Sequence, residues 1–288
     1  MQIVRQLKNN LMEVIFILPL LIFVGLLNIY PIIVGVNSGF LLLGQYSLYN
    51  YQQLQTYTPS LQTVTFNTFL YVPFALAIEF FLALFTALLL NRSIRGRSAF
   101  RSIVMLPYGV ATVVSAIAFS FIFTATNGYA NEFLTGIGLS SHQIDWTLGN
   151  YAFVSVALAD SWKTFPLIML ILLGGLQMIP ESQYEAAAMD GATPLQQFRR
   201  ITMPNLYPFI MIAMIIRAVS EFNILSLPLI LVGSNLQFLG TFSFNLYETF
   251  SLGSANMSAA AATVLLAIVL MFVVIYVYVS GKLGDVNR

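Results

Sequence analysis

Polar and apolar residues fall along this chain in long blocks. Six apolar stretches, near residues 14–36, 64–90, 102–125, 151–178, 206–232 and 257–280, are separated by polar ones. Each is about 20 residues or longer, enough to cross a hydrocarbon core ~30 Å thick. The pattern predicts an all-α polytopic membrane protein with six transmembrane helices in a single domain, 1–288. Pro19 and Pro31 fall inside or at the end of the first stretch. Such prolines are tolerated in a membrane when neighbouring helices satisfy the freed carbonyls.

Composition sharpens this reading. The chain is 58% hydrophobic and 8% charged, where a soluble domain carries roughly 25% charged residues. It has no cysteine and one histidine, His142, which excludes disulfides, thiolate metal sites and a multi-histidine centre. The first apolar stretch is too long for a signal-peptide core and shows no small-residue cleavage site, so it reads as a span. Net charge says nothing of nucleic acid; the placement of charge is informative. Outside the spans, Lys and Arg occur at the N-terminus (Arg5, Lys8), in the 91–101 loop (Arg92, Arg95, Arg97, Arg101), at Arg199 and Arg200, and in the tail (Lys282, Arg288). The segments 37–63, 126–150 and 233–256 contain none. The positive-inside rule therefore puts both termini and the 181–204 segment in the cytoplasm.

That segment, ESQYEAAAMDGATPLQQFRRITMP, carries dense local signals. Ser182 and Glu185 have capping-box spacing. Tyr184 to Asp190 is Ala-rich and predicts one short helix, with Gly191 as the left-handed residue that ends it. Thr193-Pro194 reads as N-cap and first position of a second short helix. Arg199 and Arg200 sit near its end, where cations favour the dipole, and Pro204 and Pro208 mark its exit. The whole is a helix–Gly–helix elbow between two spans.

Five ionisable residues lie at membrane depth: Glu79, Asp160, Lys163, Arg217 and Glu221. Each costs ~2.5–3.5 kcal/mol or more at a helix centre, so they should face protein or a wet cavity. Asp160 with Lys163, and Arg217 with Glu221, have the spacing of intrahelical pairs; Glu79 has no local partner. These groups are either part of a substrate path or contacts between helices. Glu79, Trp162, Glu221 and Asn223 are the candidates for contacts along such a path. Trp162 is alternatively a packing anchor and Asn223 an interhelical hydrogen bond.

The elbow also carries a resemblance. Glu185-Ala186-Ala187, three residues, Gly191, nine residues, Ile201, one residue, Met203-Pro204 is similar to the EAA loop of bacterial and archaeal ABC importer permeases, with Met203 where that family usually has Leu. The likeness extends over ALLLNRSIRGRSAFRSIVMLP (87–107), NGYANEFLTGIGL (127–139), Trp146, DSWKTFP (160–166) and Tyr247 with Phe250. This part resembles the carbohydrate-uptake branch, the maltose, trehalose and glycerol-phosphate type. Gly233-Ser234-Asn235 departs from the Gly-Gly-Pro common in that branch.

The resemblance implies a type I ABC importer permease fold in a prokaryotic inner or plasma membrane. It implies that the elbow is a coupling helix docking an ATPase subunit through Glu185, Ala186, Ala187, Asp190, Gly191, Ile201 and Pro204. It implies a second permease subunit, usually a different chain, two ATP-binding subunits and an extracellular substrate-binding protein. No G-x-x-x-x-G-K-[ST] occurs in the chain, so ATP and Mg belong to the partner subunits, with no cofactor or metal on this one. Glu132, Asp145 and Glu248 in the outer loops either meet the binding protein or are merely solvated. An ion-coupled secondary transporter is the alternative; it would account for the intramembrane charges but not for the elbow.

Overall fold

The structure, a computed structural model, describes residues 11–92, 95–249 and 255–286. Arg5, Lys8 and Arg288 of the charge argument lie outside the described residues. In chain order the helices are α1 (Leu11–Val24), α2 (Tyr30–Gly39), α3 (Tyr49–Thr56), α4 (Leu61–Asn91), α5 (Arg97–Gly109), α6 (Thr112–Ile122), α7 (Tyr129–Gly136), α8 (Gly149–Gln177), α9 (Glu181–Met189), α10 (Pro194–Gln197), α11 (Met203–Phe222), α12 (Ser226–Leu231), α13 (Leu239–Thr249) and α14 (Ala255–Val286). One small hairpin joins β1 (Leu41–Leu42) to β2 (Gln45–Tyr46). The chain divides into two compact units: Met1–Ser60 with Ser243–Val264, and Leu61–Phe242 with Leu265–Arg288.

In the larger unit α8 is the central helix. Of its apolar stretch 61% is buried, against 33% for α4. Its buried positions include Ala152, Ser155, Ala157, Ala159 and Ser161. Such small residues let helix backbones approach closely, which is how packing is gained where lipid is as apolar as the protein. Towards the other end, Ala83 and Ala87 of α4, Ile168 and Leu172 of α8 and Leu206 and Ala213 of α11 form a dry core. At Gly175 a Cβ would stand 2.6 Å from the Phe209 ring, so only glycine lets α8 and α11 meet there.

The smaller unit holds structure that a reading of 37–63 as a polar loop misses. Leu43 and Gly44 turn the hairpin with φ of 50° and 83°, and Leu41 pairs with Tyr46. Asn50 of α3 donates from Nδ2 to the carbonyls of Gly39 and Leu41, at 3.0 and 2.9 Å. Asn256 of α14 donates to the same Leu41 carbonyl at 3.0 Å.

Two prolines explain two widened turns. Pro31 and Pro204 lack an N–H, and each ring would press on the carbonyl four residues back. Those carbonyls, of Leu27 and Arg200, lie inside π turns at Gly25–Ile29 and Phe198–Thr202. A π turn admits one extra residue and so relieves the clash without ending the helix. The expectation that Pro204 and Pro208 mark an exit is therefore corrected. Pro194–Phe222 runs as one helical segment, and the second short helix of the elbow is the front end of the fifth span.

The third and fifth spans are also not the plain helices that their hydropathy suggests. α5 and α6 meet at 93°. Pro107 and Gly109 weaken the end of α5, and Val110 and Ala111 are extended. The fifth span stops at Phe222, not near residue 232. Asn223 closes it by donating from Nδ2 to the Val219 carbonyl at 2.8 Å, one of the last-turn acceptors that a helix leaves open. After the break, the short α12 packs against α6 and α8.

Candidate functional site

The elbow is built by its caps. Pro180 is extended (φ −61°, ψ 134°) and Glu181 opens α9. The Ser182–Glu185 capping box is not formed: the helix starts two residues earlier than that spacing requires, so Ser182 already lies within it. At the other end, Gly191 has φ +77°. The Gly191 N–H donates to the Ala188 carbonyl at 3.0 Å and the Ala192 N–H to the Ala187 carbonyl at 2.9 Å, the paired bonds of a Schellman stop. Thr193 caps α10 as its sequence suggests, and Gln196 completes a capping box. The Thr193 N–H donates to Gln196 Oε1 at 2.7 Å. The T-x-x-Q spacing of Thr193 and Gln196 is the signature of that box in the sequence.

α9 is tied to the fifth span. The Tyr184 and Thr202 hydroxyls share a hydrogen bond at 3.0 Å. Asn205 Nδ2 donates to the Ile201 carbonyl at 2.7 Å and to Gln183 Oε1 at 3.4 Å. A cleft of about 330 Å³ opens between the two arms, lined by Ala187, Asp190, Gly191, Gln196, Arg200 and Ile201, among others. Glu185, Ala186 and Pro204 are exposed. So is Met189, at 89%. An apolar side chain so open to solvent is a candidate contact that the motif did not single out.

The intramembrane charges form one cluster. Arg217 donates from Nε and Nη2 to Glu79 at 2.9 and 2.7 Å. Its Nη2 also reaches Asp160 Oδ2 at 3.0 Å, and Glu221 Oε1. Thr164 donates to Glu79 Oε1 at 2.8 Å. All four charged groups are buried. The carboxylate oxygens lie within 4.8 Å of one another, a spacing that suits a divalent cation, but the guanidinium already sits among them.

The Arg217–Glu221 pair is thus present as expected, but Glu79 has a partner 138 residues away. The Asp160–Lys163 pair is corrected. Asp160 turns to Arg217, whereas Lys163 Nζ stands 5.8 Å from the centre of the Tyr108 ring. A guanidinium offers several donors to converging carboxylates, while an ammonium needs only one face, here an aromatic one.

The four candidates for a substrate path therefore separate. Glu79 and Glu221 are sealed against Arg217. Trp162 is 41% exposed and meets Phe119 edge-on at 5.4 Å; Asn223 is exposed at the break of the fifth span.

Of the acids in the loops without Lys or Arg, Glu132 and Glu248 are exposed. Asp145 Oδ1 accepts from the Thr147 hydroxyl and N–H at 2.7 and 2.9 Å, and these bonds hold its carboxyl below the usual range. Asn131 knots the same loop. Its Nδ2 donates to the carbonyls of Ala125 and Ile144, both at 2.9 Å, while its Oδ1 accepts from the Ile144 N–H and the Trp146 indole.

Comparison with known proteins agrees with the elbow. Residues 79–283 match the family described as binding-protein-dependent transport system inner membrane component. The trehalose/maltose transport system permease protein MalF of Thermococcus litoralis is 33% identical over 224 residues, 75% of this chain and 74% of that protein. The sulfoquinovosyl glycerol transport system permease protein SmoG of Agrobacterium fabrum is 29% identical, over 79% and 76%. Among solved structures, a chain of a bacterial ABC transporter that imports the acidic polysaccharide alginate superposes with a TM-score of 0.83. It covers 98% of this chain and 99% of that one at 20% identity, a likeness of fold.

Proposed function

The chain belongs to the family of binding-protein-dependent transport system inner membrane components, and on that premise we propose that it serves the import of a sugar. It is a multi-pass inner-membrane permease subunit of an ABC importer and not itself an enzyme. The sugar reading is supported by the names of its relatives, permeases for trehalose/maltose, sulfoquinovosyl glycerol and trehalose. An extracellular binding protein delivers the sugar; a second permease subunit and two ATPase subunits, which bind ATP and Mg, complete the complex. One solved neighbour is an alginate importer with its periplasmic protein bound. Both termini and the elbow face the cytoplasm, and the chain acts as one six-span permease domain.

One observation carries the mechanism. α9 is hydrogen-bonded to Thr202 and Asn205, both within a helical segment that continues through Phe222. An ATPase that grips α9 through Glu185, Ala186, Ala187 and Met189, with Asp190, Gly191 and Ile201 around the cleft and the exposed Pro204, moves the fifth span with it. The span rocks and the midplane path opens to one side or the other. Trp162 and Asn223 are the side chains of this chain that meet the sugar.

The test is purification of the tagged chain from its own host in mild detergent, followed by reconstitution with the proteins it brings and a labelled disaccharide. An ATPase in the preparation and ATP-dependent uptake are the expected results. Uptake on a proton or sodium gradient without ATP would favour the secondary transporter.

A further inference from the structure

We propose that Arg92, Arg95, Arg97 and Arg101 form a binding site for an anionic phospholipid at the turn between α4 and α5. The proposal rests on the chain's place in a membrane and not on what it transports.

The patch has no counter-charge of its own. No Asp or Glu lies between Glu79 and Glu132 in the sequence. Among the described residues the ion pairs are those of Arg217, and none involves these four arginines. Arg92, Arg95 and Arg101 are exposed, and Arg97 is half-buried. Its Nη2 is shut off from solvent without gaining a hydrogen-bond acceptor. A guanidinium that has lost water on one side is drawn more strongly to an anion on its open side, because less solvent screens the charge.

The backbone adds to the same sign. α5 opens at Arg97, directly after Gly96 with φ +80°. No side chain caps this end, and its first turn holds no acid. The free N–H groups of a first helical turn are themselves partly positive, so acids and not arginines are favoured there. Four guanidinium groups beside that end repel one another, and an anion from outside the chain relieves the repulsion.

The surroundings select the kind of anion. Only residues 92–96 separate α4 from α5, so these side chains stay close to the depth where a bilayer places its phosphates. Guanidinium groups pair with phosphate oxygens through parallel N–H···O bonds. From the same end of α5, Phe100, Ile103 and Leu106 follow, all exposed. Residues three apart are neighbours on a helix surface, so the three make an apolar strip. A phosphate joined to acyl chains fits both parts at once, its headgroup among the arginines and a tail along the strip. An acidic protein surface would satisfy the first part alone. An orientation signal needs the cations, but neither the missing acids nor the strip.

The test is native mass spectrometry of the full chain, with any subunits that co-purify. The sample is released from micelles holding equal amounts of phosphatidylglycerol and phosphatidylcholine with matched acyl chains. Retention of phosphatidylglycerol over phosphatidylcholine is expected. Arg95→Gln and Arg101→Gln should each reduce that preference about fivefold. Arg199→Gln, which removes an exposed cation of the elbow, should leave it unchanged, and excess inorganic phosphate should not displace the lipid. If the variants do not accumulate, the wild-type comparison still decides. Equal retention of the two lipids overturns the site. So does an equal loss in Arg199→Gln, which would make the preference a matter of net charge. Displacement by phosphate would overturn the lipid as occupant. Variants that keep the lipid but lose a co-purifying ATPase would do the same, and would give the patch to that subunit.

Discussion

Arg217 and Glu79 meet through two parallel bonds, Nε to Oε2 at 2.9 Å and Nη2 to Oε1 at 2.7 Å. The bonds join α11 to α4, and Asp160 brings in α8 through the same guanidinium. Three spans are pinned at one point, so removing Arg217 strands three buried carboxyl groups at once. Removing one partner of a buried pair costs about 3–5 kcal/mol. Arg217→Ala should lower the melting temperature of the purified protein sharply. Adding Glu221→Ala should not restore it, because Glu79 and Asp160 stay uncompensated. Recovery in that double variant would mean that Arg217 serves Glu221 alone.

Asn131 satisfies four separate groups with one amide. Leucine fills similar space and satisfies none of them. Each polar group left buried and unpaired costs about 1–3 kcal/mol. Asn131→Leu should open the loop that holds Trp146. The chain has two tryptophans, so with Trp162→Phe in place the remaining emission reports on Trp146. A red shift and easier quenching are expected in the leucine variant. Unchanged emission would show that the loop is held by other contacts.

The proposed orientation makes its own prediction. The chain has no cysteine, which leaves a clean background for labelling. A cysteine at exposed Ser141 should react with an impermeant reagent in intact cells. One at exposed Ser182 should react only after the membrane is opened. Labelling of Ser182 in intact cells would place the elbow outside, away from ATP.

The sequence shows most clearly what depends on local chemistry. Gly191, Thr193 and Pro194 act where they stand, and their roles follow from backbone conformation and missing or added hydrogen bonds. The intramembrane charges were visible as costly, but their partners were not. Pairing by helix spacing sent Asp160 to Lys163, while the observed partner lies 57 residues away. No periodicity encodes a meeting of three spans. Breaks inside apolar blocks are hidden for a related reason. Hydropathy averages over about 20 residues, so it does not register the bend after Pro107 or the stop at Asn223. Met189 carries no such signal, because an apolar residue beside alanines reads as the buried side of a helix, yet it stands open to solvent.

Gly191 separates two ways in which the elbow could fail. Its φ of +77° is strained for residues with a side chain, yet a Cβ there meets nothing within 4 Å. Bulk alone has room in this structure; the cost is conformational, roughly 1–2 kcal/mol for most residues. Asparagine enters the left-handed region more readily than leucine. Gly191→Asn should therefore retain most transport if the backbone turn is what matters. Gly191→Leu should reach the membrane at normal levels, because the spans do not depend on the turn, but should transport little and lose substrate-stimulated ATP hydrolysis. Should Gly191→Asn fail as completely as Gly191→Leu, the space beside Gly191 must be filled by the ATPase in the complex. Glu185→Ala gives the complementary reading. Its side chain is exposed and caps nothing, so any loss it causes reports on docking and not on the helix. Transport, ATP hydrolysis and ATPase retention measured on one preparation of each variant distinguish these outcomes. Wild-type transport by Gly191→Leu would remove the elbow from the coupling path.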